Sequence, residues 1–484
     1  MKDNIAVSIL DAKDKIKFLN EIKTIDTKIN DLNLKTKTLE NVIHFDIMDN
    51  KFVPNTGVDL NYVKEAKNLG FFADIHLMVS DPLKDGYIEK SIKYGADCIT
   101  IHYEIERFDE TLKYLIKQKK EIKKAENREL YIGVALKPKT KNNVLKKHIS
   151  KIDKVLFMSV EPGFGGQSYI EEINDKITFF RNENKSVIIQ VDGGVNANIF
   201  SDVVRREVNS FVIGSYLSMS SSYEELYNKF LLLNSIYNIE KTPRRANLKL
   251  DTTTLQVVPG GYGENDILLG INVPDIRKCA LVWYKFLNYD SLELYITSKY
   301  HDYRRFAVFC IINKVSVLYK KVINNKKDKL SQKEIKELFK FFESNIKYVN
   351  NWDLTDVAGP NVLAYNLYLL NEKQRKKKVY KYLNSKNFWI KRIGIVSMLN
   401  FVRNGNIKLP LEICESVLYD EFHLFQKATG WVLREIYKRE PKTIVKFLTK
   451  KNKEKKLPTI LLSYACEKMT SAEKDKIRKE GIEV

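Results

Sequence analysis

The sequence predicts two unlike domains, a (β/α)₈ barrel followed by an all-α solenoid of paired helices, and three observations predict them. Residues 1–235 alternate short runs of β-formers with helix-length amphipathic segments. From Pro274 onward the chain reads as helix after helix, with short loops and no evident strand. Charge divides at the same place: residues 1–235 hold 35 Lys+Arg against 34 Asp+Glu, whereas residues 236–484 hold 47 against 27. The formal net charge of +21 therefore sits almost wholly in the second half, together with all four tryptophans. Charge gathered in one domain points to a polyanionic partner for that domain.

A chain of 484 residues is long enough for two cores. No stretch approaches the roughly 18 apolar residues of a membrane span, so no membrane partner is expected. The start, MKDNIAVSIL, has no signal-peptide pattern. Five scattered cysteines form no CxxC pair, which fits reduced thiols and a cytoplasmic location.

In chain order, the expected strands are Ile5–Ile9, Val42–Asp46, Phe72–Leu77, Cys98–His102, Tyr131–Leu136, Val155–Ser159, Val187–Val191 and Phe211–Ile213. Eight strands separated by helix-length segments are what the barrel requires, and its chemistry belongs at the strand C-terminal ends. Ser8, His44, Asp46, His76, His102 and Asp192 fall there. Residues two apart on a strand share a face, so His44 and Asp46 point the same way, able to bind a metal and move a proton. A lone buried histidine is usually just satisfied within a core, as His102 or His148 would be. Glycine-rich turns follow the last three strands: EPGFGGQ (Glu161–Gln167), VDGGV (Val191–Val195) and IGS (Ile213–Ser215). Glycines let backbone N–H groups approach an anion, so a phosphorylated substrate is expected.

The stretches HFDIMDNKFVPN, DIHLMVSDP, ITIHYE, ALKPKT, MSVEPGFGGQ and IIQVDGGV resemble, in order, the motifs of ribulose-phosphate 3-epimerase, through about residues 4–217. The resemblance implies interconversion of ribulose 5-phosphate and xylulose 5-phosphate. It implies His44, Asp46, His76 and Asp192 as ligands of one divalent ion (Zn, Fe or Mn). Asp46 and Asp192 would be the acid/base pair on opposite faces of the substrate. Met48, Met78 and Met158 match the methionines that line such a site. Gly163, Phe164, Gly165, Gly166, Gly193, Gly194, Gly214 and Ser215 would hold the phosphorylated ketose, with Ser8 and His76 also at the substrate. The family usually has glycine after Asp49; here Asn50 stands there, a residue that tolerates positive φ, so the turn is expected to survive. Because the motifs fix the reaction better than the sugar, a six-carbon ketose phosphate is the alternative substrate. A homo-oligomer through the barrel is a possible assembly.

Residues 236–258 read as a linker between a barrel domain at 1–235 and a helical domain at 259–484, the last barrel helix being Tyr223–Leu233. The expected helices beyond it include Pro274–Leu287, Arg304–Tyr319, Gln332–Ser344, Glu372–Leu383, Trp389–Val402, Leu411–Tyr419, Phe425–Tyr437 and Pro441–Leu448. Helix pairs of this length suit a HEAT-like stack with a basic groove. Trp352 and Asp356 are four apart, and Trp431 and Arg434 three apart, so each pair shares a helix face; an aromatic beside a charge suits stacking on a base next to a phosphate. Trp389, three before Arg392, reads instead as core. GINVPDIRK, NWDLTD, FWIKRIGIV, FQKATGWVLREIYKR and LPTILLSYACEK resemble the DNA alkylation repair family of HEAT-like DNA glycosylases over about residues 258–470. That resemblance implies excision of alkylated purines from DNA, with Asp356 catalytic, Trp352 and Trp431 packing on the lesion, and Arg392 on the DNA backbone; Arg434, on the helix face of Trp431, is expected to bind DNA with them. A non-catalytic DNA- or protein-binding scaffold is the competing reading of this half.

Overall fold

The computed structural model describes residues 3–32, 34 and 38–479, and the chain divides into two compact units, Met1–Thr242 and Pro243–Val484. In the first, eight all-parallel strands close in sequence order, β1 (Asn4–Ser8), β2 (Glu40–Met48), β3 (Ala73–Met78), β4 (Cys98–His102), β5 (Tyr131–Leu136), β6 (Lys154–Met158), β7 (Ile188–Asp192) and β8 (Ser210–Ile213). β8 returns to pair with β1, Asn4 opposite Ser210. On β2, Ile43, Phe45 and Ile47 pack outward in the buried shell, while His44, Asp46 and Met48 take the alternate face. The register then sets the site: Ser8 lies opposite His44, Asp46 opposite His76, Met48 opposite Met78, and Met158 opposite Asp192.

The loop after β2 turns at Asn50, whose φ is +57°. Asp49 organises it: one carboxylate oxygen accepts from the amides of Lys51 (2.9 Å) and Phe52 (2.8 Å), the other from the Ser80 amide at 2.7 Å beyond β3. The Asn50 amide closes the turn on Asn55 O at 2.9 Å. A β-branched residue in the left-handed region costs about 1–2 kcal/mol. Asn50→Val is therefore expected to lower stability by about that amount, and Asn50→Gly to leave it unchanged or higher, in chemical denaturation.

The last barrel helix is longer than its apolar spacing implied. It runs Tyr223–Glu240, because Ile236, Tyr237 and Ile239 are all buried, the Tyr237 hydroxyl donates to Asp3 (2.9 Å), and Arg205 pairs with Glu240 at 2.9 Å. The expected linker thus holds the end of that helix. It also holds a short helix, Lys249–Thr254. Three threonines there have low helix propensity. Each returns its hydroxyl to the carbonyl four residues back, Thr252 to Leu248, Thr253 to Lys249 and Thr254 to Leu250.

The regular elements of the second unit's described residues are helices, with isolated bridges at Arg244–Ile271 and Ile267–Tyr300. Its helices pack on neighbours one or two along: His301–Asn324 on Val273–Trp283, Phe388–Arg403 on Glu372–Leu383, and His423–Tyr437 on both Phe388–Arg403 and Thr459–Ala465. The helix Trp352–Ala358 continues through a widened turn, Gly359–Leu363. Pro360 has no N–H to return to the carbonyl of Asp356, and the loosened turn re-forms its ladder with the Ala364 amide on Gly359 O. A Cβ on Gly359 would come within 2.5 Å of Val396 and 2.9 Å of the Ile393 carbonyl, so glycine is what lets this turn close on the helix Phe388–Arg403. That approach brings Asp356 to Arg392. No helix among the described residues is long and apolar enough to cross a membrane, and none of the five cysteines is in a disulfide.

Candidate functional site

At the C-terminal ends of the barrel strands, His44, Asp46, His76 and Asp192 each offer one ligand atom, and these atoms lie within 4.8 Å of one another. His44 and His76 are fully buried and Asp46 nearly so. His44 Nε2 is 3.3 Å from Asp46 Oδ1 and 3.8 Å from Asp192 Oδ2, and it is buried without a hydrogen-bond partner. A bare imidazole nitrogen between two carboxylates fits a cation, and two N plus two O donors suit zinc, iron or manganese. Burial alone would raise the Asp46 carboxyl, yet the imidazoles of His44 and His76 beside it hold it well below the usual carboxylate range. Ser8 Oγ donates to its other oxygen at 2.8 Å.

A pocket opens over this group. Met48, Met78 and Met158 line it with Asp46 and Asp192, and the far wall is Gly163–Gly166, Gly193, Gly194, Gly214 and Ser215. Every substrate residue expected from the sequence lines it except His76, which sits beneath. The Gly163, Gly166, Gly193 and Gly194 backbones all have positive φ, turning their peptide groups in ways side-chain-bearing residues resist. Phe164, at the tip, is 55% exposed. Asp49, in the stretch that carries His44 and Asp46, is not part of the ligand group and serves the loop. His102, expected as an ordinary core histidine, instead touches His76 directly, its Nε2 3.0 Å from His76 Nε2.

Two features of the barrel site were missed from the sequence. Asp11 lines the pocket against Gly165, its carboxyl raised by burial and then by the charge of Asp46. Beneath the ligands lies a buried polar layer of Asn4, Asp74, Lys154, Gln190 and Ser210, where such barrels ordinarily carry branched apolar side chains. The two-residue period does contain a signal for part of it, since Asp74 precedes His76 by two and Gln190 precedes Asp192 by two.

Residues 4–218 match the model of the ribulose-phosphate 3-epimerase family. The ribulose-phosphate 3-epimerase of Schizosaccharomyces pombe is 33% identical over 204 residues, covering 41% of this chain and 84% of the relative. That of Escherichia coli strain K12 is 34% identical, covering 39% of this chain and 81% of the relative. The Aquifex aeolicus enzyme is 31% identical, covering 40% and 86%. The chain belongs to the ribulose-phosphate 3-epimerase family. Its epimerase unit is the barrel; the relatives leave the helical unit unmatched, and residues 249–469 match instead the model of the DNA alkylation repair enzyme family.

In that unit, the epimerase chain carries a second pocket, lined by Trp352, Asp356, Arg392, Trp431 and Arg434 together with Thr253, Thr254, Gln256, Tyr262, Leu424, Lys427 and Tyr464. All five residues singled out from the sequence therefore meet. Trp352 is fixed by its indole N–H, which donates to the Thr254 carbonyl at 3.1 Å, so the stretch read as linker supplies a wall of the pocket. Behind Trp352, Asp353 is held by His301 Nε2 (3.0 Å) and Arg305 Nη2 (2.7 Å), and His301 Nδ1 meets Asp266 at 2.8 Å. This buried charge cluster ties the Trp352 helix to its neighbour.

Arg392, expected on the DNA backbone, has its protein partners inside the pocket. Only 6% exposed, it grips Asp356 with two parallel hydrogen bonds, Nε to Oδ1 and Nη2 to Oδ2, both 2.8 Å, while Nη1 donates to the Leu424 carbonyl. Burial raises the Asp356 carboxyl above its ordinary value, with the Arg392 charge pulling against it. The competition arises because the widened turn brings the two helices together. Arg434 pairs with Glu467. Trp389 is not core: it is half-buried, edge-on to Tyr262 with ring centres 5.3 Å apart, while Trp283 is the fully buried tryptophan. Trp389 lies in the first turn of its helix, ahead of the buried residues, which begin at Arg392 and Ile393.

Proposed function

We propose that the barrel epimerises ribulose 5-phosphate and xylulose 5-phosphate by a metal-dependent transfer of protons between Asp46, Asp192 and the carbon next to the carbonyl. The bare, buried His44 Nε2 between the two carboxylates is the observation that carries this reading. His44, Asp46, His76 and Asp192 would hold the ion, which supplies positive charge for the enediolate oxygens. One carboxylate takes the proton from C3, the electron pair moves into the enediolate, and the opposite carboxylic acid returns a proton to the other face. The methionine wall keeps water from the planar intermediate, and the glycine-rich turns direct backbone N–H groups to the phosphate. Stripping the full-length protein with a chelator is expected to abolish conversion of ribulose 5-phosphate, and zinc, iron or manganese to restore it. Full turnover by metal-free protein would overturn the metal reading.

We further infer that the helical unit binds DNA and releases alkylated purines, with Trp352 and Trp431 packing on the lesion and Asp356 as the anion beside the developing oxocarbenium sugar. The gathering of these three residues in one pocket supports this. The basic balance of residues 236–484 adds the electrostatic part. Binding to a DNA duplex is expected to weaken steeply as salt rises from about 50 to about 200 mM, measured by fluorescence anisotropy. Affinity independent of salt would remove the charge argument.

A further inference from the structure

One carboxylate in the barrel pocket keeps its acceptor capacity unused. Asp46 and Asp192 both face His44 and His76, and Ser8 donates to Asp46. Outside the pocket lining, Asp49 is filled by the amides of Lys51, Phe52 and Ser80. Glu104 is filled by His102, the Lys137 amide and the Thr140 hydroxyl. Asp11, partly buried on the pocket wall, receives no hydrogen bond from the described residues. Lys15, whose charge it feels, gives its ammonium to the Ala12 carbonyl at 3.1 Å.

Packing and topology fix where that carboxylate stands. Gly163 and Gly166 have positive φ and Gly165 does not, so glycine at 165 answers to space. A Cβ there would overlap both oxygens and the carboxyl carbon of Asp11. In the closed sheet, β1 lies between β8 and β2. At its end Ser8 sits against Gly214 on one side, where a Cβ on the glycine would lie 3.4 Å from Ser8 Cβ. On the other side Ser8 Oγ donates to Asp46 at 2.8 Å. Asp11, three residues on, stands on the wall between the turn expected to take the phosphate and the group that would hold the ion.

The substrate has a donor for that place. In ribulose 5-phosphate, C2 and C3 carry the enediolate oxygens and C5 carries the phosphate, so the C4 hydroxyl lies between the two ends. Only C3 inverts in the reaction, and the C4 configuration is therefore the same in ribulose 5-phosphate and xylulose 5-phosphate. A carboxylate with open lone pairs accepts a hydroxyl strongly, and a site built to bond one hydroxyl discriminates against a substrate that cannot offer it. We propose that Asp11 is a substrate-binding residue that accepts the C4 hydroxyl of the phosphorylated ketose and sets the choice of C4 configuration. The proposal rests on the epimerase reading above.

The test is steady-state kinetics of the full-length protein on ribulose 5-phosphate and on its C4 epimer, L-xylulose 5-phosphate. The wild-type protein is expected to prefer ribulose 5-phosphate. Asp11→Ala should lower kcat/KM for ribulose 5-phosphate about ten- to hundred-fold, the scale of a lost hydrogen bond to a charged group. It should also narrow the preference over the C4 epimer by a similar factor. Asp11→Asn, whose amide oxygen still accepts, should lie between the wild-type protein and Asp11→Ala on both counts. Equal use of the two substrates by the wild-type protein would overturn the proposal while leaving the epimerase reading in place. So would Asp11→Ala that matches wild type on ribulose 5-phosphate, or that slows both substrates equally. Wild-type protein that turns over no ribulose 5-phosphate would overturn the epimerase reading, and the role of Asp11 with it.

Discussion

Asp192→Asn is expected to lower turnover of ribulose 5-phosphate by about 10²–10⁴-fold, the usual contribution of a positioned acid or base. The amide can still offer an oxygen to an ion, but it cannot take or give the proton on its face of the substrate. Metal content measured alongside separates the two roles: a variant that keeps its metal and loses turnover has lost the proton transfer alone. Asp46→Asn should be similarly inactive for the opposite face. It should also disturb the fold more, because Asp46 is held by Ser8, His44 and His76, whereas Asp192 stands at the rim, its side chain 13% exposed.

In the helical unit, Asp356→Asn is expected to reduce release of 7-methylguanine from alkylated DNA by about 10²-fold or more, on the scale of other lost electrostatic contacts to a transition state. Stability has to be followed in the same variant. Removing one partner of a buried ion pair leaves its mate uncompensated at about 3–5 kcal/mol, and Arg392 places two of its hydrogen bonds on this carboxylate. The double change Asp356→Asn with Arg392→Gln removes both charges and should recover much of the melting temperature without recovering base release. Unchanged release by Asp356→Asn would instead overturn the role given to Asp356, whereas absence of release by the wild-type protein would favour a scaffold that binds DNA without cutting the glycosidic bond.

Much of the barrel is legible in the sequence because its two-residue period and its strand-end chemistry coincide. His44, Asp46, His76 and Asp192 each end an apolar run, and the parallel register then has little freedom in how it sets them side by side. Lys154 is not legible in that way. A lysine opening a strand looks like a solvated flank, and only closure of the barrel places it at 0% exposure against Asp74. His102 and Glu104 stand in a motif that marks the family, but their link to His76 is a contact between strands that no spacing encodes.

The helical unit is less legible at its edges than at its centre. Its long helices announce themselves by apolar spacing, whereas Lys249–Thr254 carries three threonines of low helix propensity whose hydroxyls bond back to carbonyls of the same helix. The grip of Arg392 on Asp356 joins residues 36 apart in sequence. It depends on the widened turn after Pro360, which a helical pattern does not report. The consequence is functional: an arginine expected to meet phosphate is engaged with the carboxylate of the same pocket.

The most direct measurement on the two-sided proton transfer is epimerisation followed by NMR in deuterium oxide. Each inversion by the wild-type protein should place deuterium at C3 of the product. Asp192→Asn, retaining Asp46 on one face, should exchange the C3 hydrogen of one epimer with solvent while producing almost none of the other. Inversion that continues in Asp192→Asn, or wild-type product free of deuterium at C3, would contradict the mechanism.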